Sequence, residues 1–249
     1  MDRNQSCRVS SLNNYRTDPL RPWYDKVRTR HSTKMLELLL PYLPSRGRVL
    51  EVGPGHGHFA RAALEAGLDY DAIEPSDLFR ESLVKEGFLV SNAVVPPIPH
   101  EDGIYDLVHA SMLIENLPTS HEAAEFAWES ARVLRQGGIL SLIFPNYLTW
   151  GDFFFDEHYM HSFETTPRRV SHLLTRQGFN VVRTEHTLGW FWVKSSLMKN
   201  IIRHTANCMM WPLHTAAARW TFEYAGLGEL HWKVRKTFFE AVVIIARKV

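Results

Sequence analysis

The residues best placed to do chemistry are a run of glycines and two carboxylates. Gly53, Gly55 and Gly57 recur at alternate positions in the stretch VLEVGPGHGHF, with Pro54 between the first two and Glu51 two residues ahead. Glycine takes φ > 0 without penalty and lets a backbone come close to a ligand. A dinucleotide loop reads G-x-G-x-x-G, tuned to pyrophosphate. Here the third glycine arrives one residue early, and Glu51 would repel a pyrophosphate. That carboxylate suits a cationic ligand bearing hydroxyls and an amino group. A second acid, Glu74, follows 23 positions after Glu51 and is followed by Pro75. An acid at that distance accepts hydrogen bonds from ribose hydroxyls. The chain also has 13 histidines, whose pKa suits a general base near neutrality. His158 and His161 with Glu157 have a spacing that permits a metal on a helix. No further ligand cluster accompanies them, and no metal is expected.

These residues need elements to hold them. Arg48–Val52 reads as a strand, the glycines as a turn, and Phe59 onward as a helix. The helix N-terminus offers unpaired N–H groups and a partial positive charge. Asp69 to Glu74 reads as a second strand ending in the acid. Leu89–Ser91 reads as a short third strand leading to Asn92 and Ala93. A rigid loop, Pro96-Pro97-Ile98-Pro99, precedes a fourth strand from Tyr105 to Met112. Carboxyl ends of strands in an open α/β sheet face the ligand crevice, which puts His109, Ser111, Glu115 and Asn116 near it. A helix from Ser120 to Leu134 is closed by Gly137-Gly138, and a fifth strand runs from Ile139 to Asn146. Thr166 and Pro167 start another helix, to Gln177, followed by a strand from Asn180 to Thr187. The last strand is Phe238 to Arg247. Ahead of all this, residues 1 to about 18 are polar and loose. A helix from Trp23 shows an apolar face at Met35, Leu36, Leu38, Leu39 and Leu40, and ends at Pro41 and Pro44.

The E-x-G-x-G-x-G loop after a strand, with Glu74 after the next, resembles class I S-adenosylmethionine (SAM)-dependent methyltransferases. The Y-D-x-V pattern at Tyr105–Val108 and the phrase ARVLRQGGILSLIFPN extend the resemblance over roughly residues 48–146. It implies a Rossmann-like α/β fold: a seven-stranded, mostly parallel sheet with helices on both faces, an N-terminal helical lid, and a helical insertion before the last strand. It also implies SAM as cofactor, with Glu51, Gly53, Pro54, Gly55 and Gly57 around its methionine part, Glu74 and Pro75 at the ribose, Asn92 facing the adenine, and Ala93 and His109 also among the cofactor-binding residues. An Asp is usual where Asn92 stands, and Asn still accepts a hydrogen bond through its carbonyl oxygen. Many relatives carry Glu-His where this chain has Glu115-Asn116. The stretch from Asp156 to Phe163 resembles a D-x-x-H-x-x-x-F-[ST] segment of the ubiquinone-type and sugar-modifying branches, which lies over the acceptor pocket. On that resemblance His161 leads as base, His158 is second, and His109 and Glu115 are alternatives. In the lid, Tyr15, Trp23 and Tyr24 either cover the cofactor or pack the helix.

The domain plan that follows is a tail and lid helix at 1–45, a cofactor-binding core at 46–187, an insertion at 188–237, and a final strand at 238–249. The insertion is unusual, because a hairpin between the last two strands needs only a few residues. It holds Trp190, Trp192, Trp211, Trp220 and Trp232, five of the eight tryptophans, and is rich in Lys and Arg. Packing on the sheet, a lid over a bulky acceptor, a membrane-surface contact and a dimer face all fit that composition. A chain of 249 residues suits one large α/β domain with an insertion. A net charge of +1 gives no case for nucleic-acid affinity. The fourth strand also lacks an amino-methylating N/D-P-P-Y motif. Cys7 and Cys208 form no C-x-x-C and suggest no disulfide scaffold. Neither a signal-peptide core nor an apolar run of spanning length is present, so the cytoplasm is the expected compartment. The function expected is transfer of a methyl group to a small or medium-sized acceptor, at oxygen. The competing readings are a non-catalytic subunit of this fold acting through the insertion, and a nicotinamide oxidoreductase.

Overall fold

The computed structural model describes residues 22–188, 201, 205, 215–228, 230 and 240–249. Tyr15, most of the 188–237 insertion and Phe238 fall outside the described residues. The helix α1, Pro22–Leu39, leads into a seven-stranded sheet. Its first half runs β1 Arg48–Val52, α2 His58–Glu65, β2 Asp69–Ile73, α3 Asp77–Lys85 and β3 Leu89–Ser91. Next come β4 Tyr105–Ser111, α4 Ser120–Val133 and β5 Leu134–Pro145. Two short helices, α5 Tyr147–Trp150 and α6 Phe153–Glu157, precede α7 Pro167–Arg176 and β6 Phe179–Leu188. Within the insertion α8 spans Ala216–Tyr224, and β7 is Glu240–Lys248.

The sheet order is β3-β2-β1-β4-β5-β7-β6. β1 to β5 pair in parallel, and β7 lies antiparallel between β5 and β6. Central parallel strands are covered on both faces and so read as continuous apolar runs; Tyr105–Ala110 of β4 is buried throughout. Side chains alternate between faces. On one face, Val49, Tyr70, Leu107 and Ile139 meet Met35 and Leu39 of α1, Phe59 of α2 and Leu83 of α3. On the other, Leu50, Val108, Leu140 and Val242 meet Phe126 of α4 and Val170 of α7. The fold expected from the sequence is the one observed.

Most boundaries move by a residue or so, and two differences have a clear cause. α1 ends at Leu39, because Pro41 has no N–H to continue it, and Leu40–Tyr42 forms a 3₁₀ turn with Leu40 39% exposed. β5 starts at Leu134, five residues before the expected Ile139. Gly137 and Gly138 do not close α4; they form a bulge, since Tyr105 pairs with Leu134 but Leu107 with Ile139. Gly137 has φ +76°, and a Cβ on Gly138 would lie 2.9 Å from the Arg135 carbonyl oxygen. Among the described residues no helix is long and apolar enough to cross a membrane.

Candidate active site

Strand order reverses direction between β1 and β4, and in open α/β sheets ligands bind outside the carboxyl ends of the strands at such a point. The glycine loop follows the carboxyl end of β1. The Gly53 N–H donates to the Ile73 carbonyl at 2.9 Å, extending the β1–β2 ladder by one step. Gly53, Gly55 and Gly57 have φ of 76°, 51° and 72°, the left-handed region that disfavours a side chain. At Gly57, the N-cap of α2, a Cβ would also lie 2.4 Å from Leu83 Cδ2 of α3. At Gly55 a Cβ would meet nothing within 4 Å, so there the backbone faces open space.

The two acids stand on either side of this loop. Glu74, buried just past β2, accepts the Gly55 N–H on one carboxylate oxygen at 3.1 Å and the Ser76 N–H on the other at 3.0 Å. Burial pushes its pKa up, and those two hydrogen bonds oppose the shift. Among the described residues nothing bonds the buried Ser76 Oγ beside it. Glu51 lies inside β1 and accepts the Tyr70 hydroxyl at 2.5 Å. Its pKa is pushed up to about 7 by burial above all; Glu74 adds to the rise, and the Tyr70 bond opposes it. Pro54 is buried and Pro75 half-buried within the same loops. Asn92 is exposed at the end of β3, with Ala93 packed against the core.

His109 differs from its expected surroundings. The register places it on β4 directly between Glu51 of β1 and Ser141 of β5. Its Nδ1 is 3.1 Å from Ser141 Oγ, and its ring stacks on Phe59 of α2 with centroids 4.1 Å apart. Burial, with His31 nearby, pushes its pKa down to about 3. His109 is therefore a neutral, enclosed residue beneath α2 and not a crevice-facing base.

The opposite rim is built from the turns after β4 and β5. Met112 has φ +53°, a costly conformation for a side-chain-bearing residue, and donates its N–H to the Ile143 carbonyl. The 3₁₀ turn Ile114–Asn116 follows. The Glu115 carbonyl accepts the N–H groups of Ser162 and Phe163 at 2.9 and 3.2 Å. That joins Glu115 to the segment carrying His158 and His161. His161 is buried, and its Nδ1 lies 2.5 Å from the Phe154 carbonyl oxygen. A carbonyl only accepts, so Nδ1 carries a proton. Phe154 and Trp150 pack about the ring, at 4.7 and 6.3 Å between centroids. His158 is half-buried; its Nδ1 accepts the Met160 N–H, and its ring stacks on Tyr159. The lid aromatic Trp23 is exposed, edge-on to Tyr24.

One cluster on this rim carries no sequence signal. Glu240, at the start of β7, is buried and bonded by Asn146 Nδ2 and His186 Nδ1, at 2.5 and 2.8 Å. Its backbone carbonyl accepts the Trp150 indole N–H at 2.9 Å. The partners lie 94, 54 and 90 residues away, so only the closed sheet brings them together. Among the described residues no group of three or more His, Cys, Asp or Glu side chains could hold a metal ion.

The glycine loop and the sheet order match a known family. Residues 24–184 match the family described as a methyltransferase domain. The chain belongs to that methyltransferase family. The uncharacterized methyltransferase Mb3374 of Mycobacterium bovis is 32% identical over 124 residues, which cover 48% of this chain and 48% of that protein. The chain thus spans about half the length of the curated relatives it matches. Among solved structures, a SAM-dependent methyltransferase from Archaeoglobus fulgidus aligns with a TM-score of 0.57 at 17% identity, over 88% of this chain and 94% of that one. Phosphoethanolamine N-methyltransferase 2 of Haemonchus contortus, solved with phosphomonomethylethanolamine and S-adenosylhomocysteine, aligns with a TM-score of 0.57 at 16% identity, over 86% of this chain and 52% of that one. At such identities the likeness is one of fold, and it places this methyltransferase-family chain in the class I architecture.

Proposed function

We propose that this methyltransferase uses SAM to methylate a hydroxyl oxygen of a small or medium-sized acceptor. The observation that carries the reading is the Glu74 carboxylate, buried at the end of β2 and bonded to the backbone of a left-handed glycine loop. The residues present fit the cofactor. Gly55 faces open space, Ser76 Oγ is an unbonded buried polar atom beside Glu74, and Glu51 is a second buried acid across the loop. Glu74 would hold the ribose hydroxyls and Glu51 the amino group. When bound, SAM supplies an electrophilic methyl group on a sulfonium. The chain's own work is to orient the acceptor, exclude water and take up its proton.

His161 is the base this geometry favours. It is buried in the segment tied to the Glu115 turn, its Nδ1 is held by the Phe154 carbonyl, and aromatic rings enclose it. Glu115, pushed up to about 8 by burial, holds its own proton at neutral pH and is the poorer base. The insertion supports a lid role in one place: Arg219 of α8 pairs with Asp156 of α6 at 2.9 Å, which sets α8 beside the His158–His161 segment. The test is calorimetric titration with SAM and, separately, NAD, on wild type and Glu74→Ala. Micromolar SAM binding, at least tenfold weaker in the variant and absent for NAD, is expected. Absence of SAM binding to the wild type overturns the reading.

A further inference from the structure

The turn after β4 holds three buried oxygens that no other described residue bonds. Glu115 is 1% exposed, and among the described residues no other residue donates to either Oε; only its own backbone N–H favours the charged form. The next residue, Asn116, donates its Nδ2 to the Met112 carbonyl at 3.0 Å, which fixes the amide orientation and leaves Oδ1 as a buried acceptor without a donor. Asn116 Oδ1 is an acceptor, and the Glu115 carboxyl offers acceptors on both oxygens once it is ionised. The neighbours of Glu115 are apolar: Ile114, Leu117 and Phe163 belong to one core cluster.

Leaving buried acceptors unmet costs free energy, and a buried carboxyl without a cation costs more. Such groups persist where a ligand meets them. The strained Met112 just upstream marks the same turn as held in place for a purpose beyond packing. A ligand complementary to consecutive acceptors, one of them ionisable, carries several N–H donors and a positive charge. A protonated amine meets both requirements. The Glu115 carbonyl accepts the Ser162 and Phe163 N–H groups, which ties this turn to the segment carrying His161.

We propose that Glu115 and Asn116 form a subsite for a protonated amine on the acceptor. The inference deepens the methyltransferase reading, on which the word acceptor rests, and the amine is an anchor distinct from the hydroxyl that reacts. Benzylammonium and its neutral counterpart, benzyl alcohol, serve as probes. Each is titrated calorimetrically at pH 7 into the 249-residue chain, with and without S-adenosylhomocysteine. The cation is expected to bind at least tenfold more tightly than the alcohol. It should release about one proton on binding, read from buffers of different ionisation heat, as Glu115 gives up its own. Glu115→Gln should abolish the preference and leave S-adenosylhomocysteine affinity unchanged. Equal binding of both probes, binding of neither, or a preference that survives Glu115→Gln overturns the subsite. The wild-type comparison and the proton count decide the matter even if the variant fails to fold. Failure of S-adenosylhomocysteine to bind, with the amine preference intact, overturns the methyltransferase reading instead.

Discussion

Glu51 shows how one buried side chain sets a pH response. Its carboxyl sits at about 7, lifted from 4.5 chiefly by burial. A ligand ammonium favours the charged carboxylate. Below pH 7 the incoming group must therefore displace a proton; above it the carboxylate is already charged. SAM affinity is expected to rise roughly tenfold per pH unit up to about pH 7 and then level off. Tyr70→Phe removes a hydrogen bond that favours the charged form, so the break moves to higher pH. Calorimetry between about pH 5.5 and about 8.5 on both proteins checks this. A flat profile in the wild type would separate Glu51 from the cofactor's amino group.

At the scale of elements, the strand–loop–helix unit at Arg48–Glu65 depends on Gly57. Ala there takes the left-handed conformation at a cost of about 1–2 kcal/mol and also meets Leu83 across α3. Gly57→Ala should lower the melting temperature, and Leu83→Ala added to it should not restore the loss, because the backbone term remains. Thermal melts of the single and double variants measure this. The unit was legible because its signals are local: an apolar run, a glycine spacing and an acid at a set distance. β3 is likewise local, and the strand expected near Leu89, Val90 and Ser91 is found there. The glycine bulge in β5 was not, since two glycines after a helix look like a helix stop until strand pairing with β4 is known. The enclosure of His109 was equally hidden. A strand pattern gives alternation, but not which face Phe59 will cover. The Glu240 cluster joins Asn146 just past β5, His186 of β6 and Glu240 of β7, and nothing local in any of them announces it.

For the whole molecule, the carboxyl of Glu115 is a standing cost. Burial raises its pKa from 4.5 to about 8, so between those values the folded state keeps a proton that the unfolded state has lost. Stability attributable to this group falls as pH rises through that window and is constant above it. The cost at pH 8 is on the order of a few kcal/mol. Glu115→Gln should therefore melt several degrees above wild type near pH 8 and close to it near pH 4.5, as differential scanning calorimetry would record. The placement of β7 has a consequence in time. Among the described residues β6 has no strand neighbour but β7, and the chain from Leu188 to Glu240 is made between them. At typical elongation rates the ribosome takes roughly three to ten seconds over that interval. Throughout it, β6 waits with both edges open, and whatever shields the nascent strand then decides how much protein reaches the native state.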